Sequence, residues 1–173
     1  MIVHSKNYIT NIDAKCIQPN AVDIRASALL VFNSGDTVLI SEDAPKQFAS
    51  REPVISQIDA TTGIGCWIIP PHSIVEFHTP HETTVPEGYV GTIVPRSTLA
   101  RNGLMLTCGL YDSGYSGMVG GTLHNPGPRS IMLQHGCRIG QYIMYKAETE
   151  HLYTGYYNDT KGHLETPPDA STN

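Results

Sequence analysis

Glycine and proline interrupt this chain so regularly that long helices have nowhere to run. Sixteen glycines and twelve prolines are spread over 173 residues, and short apolar runs lie between them. Such runs bounded by turn formers favour strands, because a helix needs many consecutive residues free of both breakers. The chain therefore reads as mostly β, with no helix longer than about three turns. Its length suits one compact domain that buries a real core, residues 1–150, followed by a tail over residues 151–173.

An alternating run over residues 21–32 follows a turn at Pro19 and Asn20, and Asp23 interrupts its apolar side. A carboxylate there is either a solvated outward residue or a functional one. Residues 33–60 are polar and turn-rich, with a hairpin expected at Ser34-Gly35-Asp36 and a surface excursion over residues 43–53; no chemistry is read in them. Residues 66–69 form a strand that Pro70-Pro71-His72 ends, and residues 73–78 alternate again. His78 and His81 have a spacing that could suit a metal, yet Pro80 lies between them and no acid or thiol partner is evident. They read as a histidine-bearing loop. Pro86-Glu87-Gly88 reads as a turn into a strand over residues 89–94, and residues 130–133 and 138–145 as strands joined at His135-Gly136.

The formal net charge of -5 argues against a protein that grips polymeric nucleic acid through its phosphates, a task that shows as clustered Lys and Arg. A small anionic ligand needs only a few placed donors and is not excluded. Cys16, Cys66, Cys108 and Cys137 are far apart with no CxxC pair, so they read as buried thiols rather than a zinc or redox site. No basic start precedes a long apolar core, and no window approaches about 18 unbroken apolar residues, so no membrane association and a cytoplasmic location are expected.

Chemistry concentrates in residues 95–125, PRSTLARNGLMLTCGLYDSGYSGMVGGTLHN. Ser97 can cap a helical turn over residues 97–102 that Gly103 ends, bringing a hydroxyl and backbone N–H groups together beside the Arg96 guanidinium. That arrangement suits a phosphate, although such a pair taken alone is more commonly a plain structural cap. Asp112 follows a strand-like run and precedes Ser113-Gly114-Tyr115-Ser116-Gly117, whose glycines permit a tight reversal near a ligand. Reading onward from Asp112, the next acidic residue is Glu148. Asp112 is then the candidate base of this segment, or an Asp that merely braces the turn.

PRSTLARNGL resembles the second motif of the trimeric dUTPase and dCTP deaminase superfamily, and GLYDSGYSGMVGGTLHN resembles its third, in the dUTPase form with Tyr three residues after Asp. GCRIGQYI resembles the fourth motif, with Gly140 where Ala is usual. AVDIRA resembles the first, and the preceding IQPNAVDI is closer to the deaminase branch. The resemblance implies a small antiparallel β barrel or jelly-roll-like fold, assembled as a homotrimer with sites between subunits. It implies that Asp112 activates water against the α-phosphorus of a deoxynucleoside triphosphate, and that Tyr115 packs on the deoxyribose. It further implies that Arg96, Ser97 and Gln141 hold phosphates, with Thr98 and Arg101 among the substrate contacts. Backbone groups around residues 107–109, Gly109 included, would read the base. Asp23 would position water on a magnesium ion carried by the triphosphate. In the tail, Lys161 would meet phosphates and Tyr156 or Tyr157 would pack on the ligand.

Two departures divide the function. The deaminase branch carries a proton-shuttling glutamate where this chain has Thr122, no nearby acid is expected to substitute, and threonine cannot do that work at neutral pH. The glycine-rich C-terminal motif of the dUTPase branch has no counterpart in HLYTGYYNDTKGHLETP, which looks more like the deaminase ending. The leading expectation is dUTP hydrolysis to dUMP and pyrophosphate. The alternatives are a deaminase or bifunctional enzyme on a cytosine deoxynucleotide, and a nucleotide-sensing or regulatory binding protein.

Overall fold

Two long antiparallel strands, β7 (Ser73–Thr84) and β10 (Ser116–Asn125), carry the fold. They sit inside a five-stranded sheet that runs β4 (Arg51–Pro53), β3 (Ala28–Phe32), β7, β10, β9 (Met105–Thr107). A second sheet is centred on β12 (Arg138–Lys146), which pairs with β1 (Ile2–Val3), β2 (Val22–Arg25) and β8 (Tyr89–Pro95). A third joins β5 (Ser56–Ile58), β6 (Gly65–Ile69) and β11 (Ile131–Gln134). The computed structural model describes residues 1–35 and 37–158. Within them the one α-helix is α1 (Ser97–Arg101), five residues long, and no helix is long and apolar enough to cross a membrane. The mostly β, antiparallel expectation holds.

The core follows from strand alternation. β7 buries Val75, Phe77, Thr79, His81 and Thr83 and turns Glu76 and His78 to the other face. Against it pack Val119 and Leu123 of β10, Ile139, Tyr142 and Met144 of β12, and Val22 and Ile24 of β2. Gly140 of β12 packs instead against β8 and β9. A Cβ there would lie 2.5 Å from Ile93 Cγ2, so the alanine usual in the resembled motif has no room.

Three expectations need correction. Residues 21–32 form two strands in different sheets: the Ala26 N–H donates to Cys137 O and the Ser27 N–H to His78 O, which carries the chain across. Apolar residues fill both halves, and local pattern does not say which sheet a strand joins, so it could not show the switch. His78 and His81 lie within β7, not in a loop. Pro80 is tolerated because the pairing shifts between Met118 and Gly120, and at such a bulge its missing N–H is not required. Ser34-Gly35-Asp36 is not a tight hairpin between neighbours, because β3 pairs with β4 only after residues 33–50, closed by the Asn33 N–H donating to Ser50 O; Asp36 itself lies outside the described residues.

All four cysteines are free, Cys16 and Cys66 buried, Cys108 and Cys137 half-buried. Residues 151–158 fold back over the turn ahead of β10. The Tyr153 N–H donates to Ser113 O at 2.7 Å, and Asn158 Oδ1 accepts the Ser116 N–H at 2.7 Å.

Candidate functional site

Asp23 sits on a strand buried on both faces and is 1% exposed. It is therefore not the solvated outward residue that alternation allowed. Its Oδ2 accepts from Gln18 Nε2 at 3.1 Å and Arg138 Nη1 at 3.0 Å, with Arg96 Nε at 3.8 Å, and its Oδ1 accepts from Gln141 Nε2 at 3.2 Å. The cross-strand register Asp23 to Gln141 creates this meeting. A buried carboxylate must be compensated, and here it fixes two guanidinium heads whose side chains remain about a third exposed. Arg138 Nη1 also donates to Lys15 O at 3.2 Å, and the remaining N–H groups of the two heads have the chemistry to meet an anion. Arg138 was missed in the sequence because strict alternation puts it on the opposite face from Gln141. A bulge between Arg138 and Gly140 returns it to the same side.

Helix α1 begins beside this cluster. Its N-cap is Arg96, with no side-chain cap bond, and the Leu99 and Ala100 N–H groups donate to the Arg96 carbonyl. Ser97 is thus the first helical residue, not the cap expected of it, and its exposed hydroxyl takes no partner among the described residues. Gly103 ends the turn at φ +84°. Thr98 is exposed and lines a separate 610 Å³ groove with Leu104 and Asn125. Arg101 is exposed and forms no ion pair among the described residues. The structure brings neither residue into the Asp23 cluster.

The hairpin from β9 to β10 forms a second group. Its limbs pair at Thr107 and Thr122 and then part around a cavity of 420 Å³ walled by Phe32, Phe48, Tyr111, Tyr115, Tyr153 and Tyr157. Gly109 and Leu110 line it, and their backbone N–H and C=O groups take no partner among the described residues. Unpaired backbone groups facing a cavity are ready to meet a ligand. The Tyr115 hydroxyl donates to Met118 O at 2.7 Å, and burial, then Tyr153 and Glu82, push its pKa up to about 12. The phenol stays neutral and presents its ring to the cavity.

Asp112 is exposed in the turn before β10. The turn is closed by backbone, the Tyr115 N–H donating to Asp112 O at 3.0 Å with Gly114 at φ +88°. The carboxylate takes no partner among the described residues, so it does not brace the turn. It opens on a shallow 260 Å³ pocket shared with Glu148, Glu150 and His151, while Tyr115 lines the aromatic cavity.

Thr122 shares hydrogen bonds with Thr107 Oγ1 at 2.8 Å and His124 Nε2 at 2.9 Å. The expectation that no acid stands near it is overturned, because Glu76 is its register partner on β7 and lines the same cavity. Glu76 pairs with Arg51 and lies 3.4 Å from His78 Nε2. Burial pushes the Glu76 carboxyl up, but His78 and the Arg51 guanidinium outweigh it and hold the carboxyl below its ordinary range. Strand pairing was not legible in the sequence, so this neighbour was not either. Arg51 and Phe48 also come from a stretch in which no chemistry was read.

Among the described residues, no side-chain hydrogen bond or ion pair joins the Asp23 cluster to Asp112 or to the aromatic cavity. Tyr157 reaches the cavity wall, Tyr156 packs on Phe48 and Tyr157, and Lys161 lies outside the described residues. No three His, Cys, Asp or Glu side chains among the described residues converge on a cation position, and both Asp23 oxygens are engaged. These residues do not form a protein-held magnesium site. An ion carried by a triphosphate asks for none.

A family model described as dCTP deaminase-like matches residues 1–147. The chain is 29% identical over 152 residues to a dCTP deaminase from Pyrobaculum neutrophilum, spanning 88% of this chain and 81% of the relative. It is 32% identical over 144 residues to a protein named probable deoxyuridine 5'-triphosphate nucleotidohydrolase from Halobacterium salinarum, spanning 82% of each. A solved 2'-deoxycytidine 5'-triphosphate deaminase from Agrobacterium tumefaciens superposes with a TM-score of 0.58 at 11% identity, over 83% of this chain and 45% of that one. That last likeness speaks for the fold alone, and the chain spans less than half of that structure's length.

Proposed function

The chain belongs to the dCTP deaminase-like family, and on that footing we propose that it hydrolyses a pyrimidine deoxynucleoside triphosphate, dUTP foremost, to the monophosphate and pyrophosphate. The observation that carries this reading is the Asp112 carboxylate, exposed, unpartnered among the described residues and three positions from the cavity-facing Tyr115. Asp112 takes a proton from a water that attacks the α-phosphorus, and pyrophosphate leaves. Arg96, Arg138, Ser97 and Gln141 hold the phosphate chain, since phosphoanhydride hydrolysis asks mainly for positioning and charge neutralisation. Magnesium enters as the triphosphate's own counterion. The Tyr115 ring packs on the deoxyribose, and the unpaired backbone of Gly109 and Leu110 meets the base.

Among the described residues no side-chain bond joins the two groups, and a homotrimer that sets the Asp23 cluster of one copy against the hairpin of the next would complete the site. Asp112→Asn tests the base. Pyrophosphate release should fall about 10²- to 10⁴-fold, the range of a lost general base, while a non-hydrolysable dUTP analogue binds within about threefold of the wild type. An undiminished rate would remove Asp112 from the chemistry. Hydrolytic deamination of dCTP is the second reading, favoured by Glu76 directly across from Thr122. Ammonia released from dCTP would support it.

A further inference from the structure

One polar feature of the aromatic cavity has no part in phosphate hydrolysis. Arg51 and Glu76 both line the cavity, with side chains only 16% and 14% exposed. They meet through one guanidinium nitrogen, Nη1, and one carboxylate oxygen, Oε2. A guanidinium has five N–H donors and a carboxylate about four lone-pair positions, so that single contact leaves both groups with unused capacity. Glu76 Oε1 has His78 Nε2 at 3.4 Å, and that buried nitrogen makes no hydrogen bond among the described residues. Thr122, across the register from Glu76, already has its hydroxyl engaged by Thr107 and His124. Tyr111 and Tyr115 likewise have their hydroxyls tied to backbone, at Gly120 and Met118.

Two charges among aromatic walls gain little stability over apolar side chains of similar volume. Their presence is better explained by what they can hold. The walls suit a flat heteroaromatic ring, and the pair sets an acceptor beside a donor, the complement of a ring edge that carries a donor beside an acceptor.

We propose that Glu76, held in place by Arg51, reads the base, its carboxylate accepting an N–H from the pyrimidine 3,4-edge while Arg51 donates to the neighbouring acceptor atom. Uracil meets this with N3–H beside O4, and cytosine with its 4-amino group beside N3. The proposal rests on the reading that this cavity takes the base of a deoxynucleotide. It adds side-chain recognition to that of the backbone, and it makes both residues specificity determinants.

The test is calorimetric binding of α,β-imido dUTP and α,β-imido dCTP, together with the N3-methyl form of the first and the N4,N4-dimethyl form of the second. These are compared on the wild-type chain and on an Arg51→Met/Glu76→Leu double variant, which removes both charges and leaves neither unpaired. The wild type should bind at least one parent analogue, and the methylated form at least tenfold more weakly. In the double variant the parent should bind at least tenfold more weakly than to the wild type, and the methylation penalty should drop below threefold. The arm that responds identifies the N–H being read. If the double variant does not fold, as judged by thermal melting, Glu76→Gln keeps the shape and should lose at least threefold. Wild-type binding of neither parent overturns the nucleotide reading and this proposal with it. Parent binding that ignores the substitutions overturns the proposal alone.

Discussion

At the residue scale, the site is decided by which polar groups are spoken for. Asp23 is saturated by donors and acts on its neighbours, whereas Asp112 is unpartnered among the described residues and available to water. His81 shows the same contrast in a structural role. Its Nε2 accepts the Arg25 N–H and its Nδ1 faces Thr10 O, both at 3.1 Å, which fixes a neutral ring with the proton on Nδ1. Burial lowers its pKa in the fold, while the unfolded chain titrates near the ordinary 6.5. Between the two values the unfolded state binds a proton that the native state refuses. Stability is therefore full above about pH 6.5 and falls as the pH drops below it. Melting temperature should be lower at pH 5.5 than at pH 7.5, and His81→Gln, which can still accept from one side and donate to the other, should flatten that slope. An unchanged slope would mean that His81 is not the group responsible. Asp112, Arg96, Ser97 and Gln141 could be picked out as candidates from the sequence because they sit in contiguous motifs. Arg138 and Glu76 were not, because a bulge and a strand register place them.

At the element scale, the hairpin from β9 to β10 is where backbone geometry and the proposed function coincide. Gly121 lets the limbs approach: a Cβ there would stand 2.4 Å from Thr107 O and 3.1 Å from Cys108 Cβ, and a backbone oxygen cannot step aside as a side chain can. Gly121→Ala should cost about 1–3 kcal/mol in chemical denaturation, the range for overpacking, and should weaken nucleotide binding by prising Thr107 from Thr122. A variant with wild-type stability and binding would show that the limbs are not held this tightly. Most strands were legible from alternation between turn residues, including those near residues 66–69, 89–94, 130–133 and 138–145. The failures share one cause. At residues 21–32 and at Pro80 the chain changes sheet or bulges, and local pattern is silent on which strands lie side by side.

At the scale of the whole molecule, three antiparallel sheets around one core hold two polar groups that no side-chain bond joins among the described residues. A shared site makes a specific demand on assembly. The mass in solution should be about three times 18.9 kDa, and reassembling inactive Asp112→Asn with inactive Arg96→Ala should restore part of the pyrophosphate release. Some interfaces in such mixtures join an intact hairpin to an intact arginine cluster. A monomeric mass, or mixtures that stay inactive while exchanging subunits, would place the site within one chain. The chemistry itself is tested most directly by a panel of deoxynucleoside triphosphates with magnesium, scoring pyrophosphate and ammonia separately. Pyrophosphate from dUTP in step with dUMP, and no ammonia from dCTP, is the expected result. Ammonia from dCTP without pyrophosphate from dUTP, or neither product from any substrate, would contradict the hydrolase assigned to Asp112.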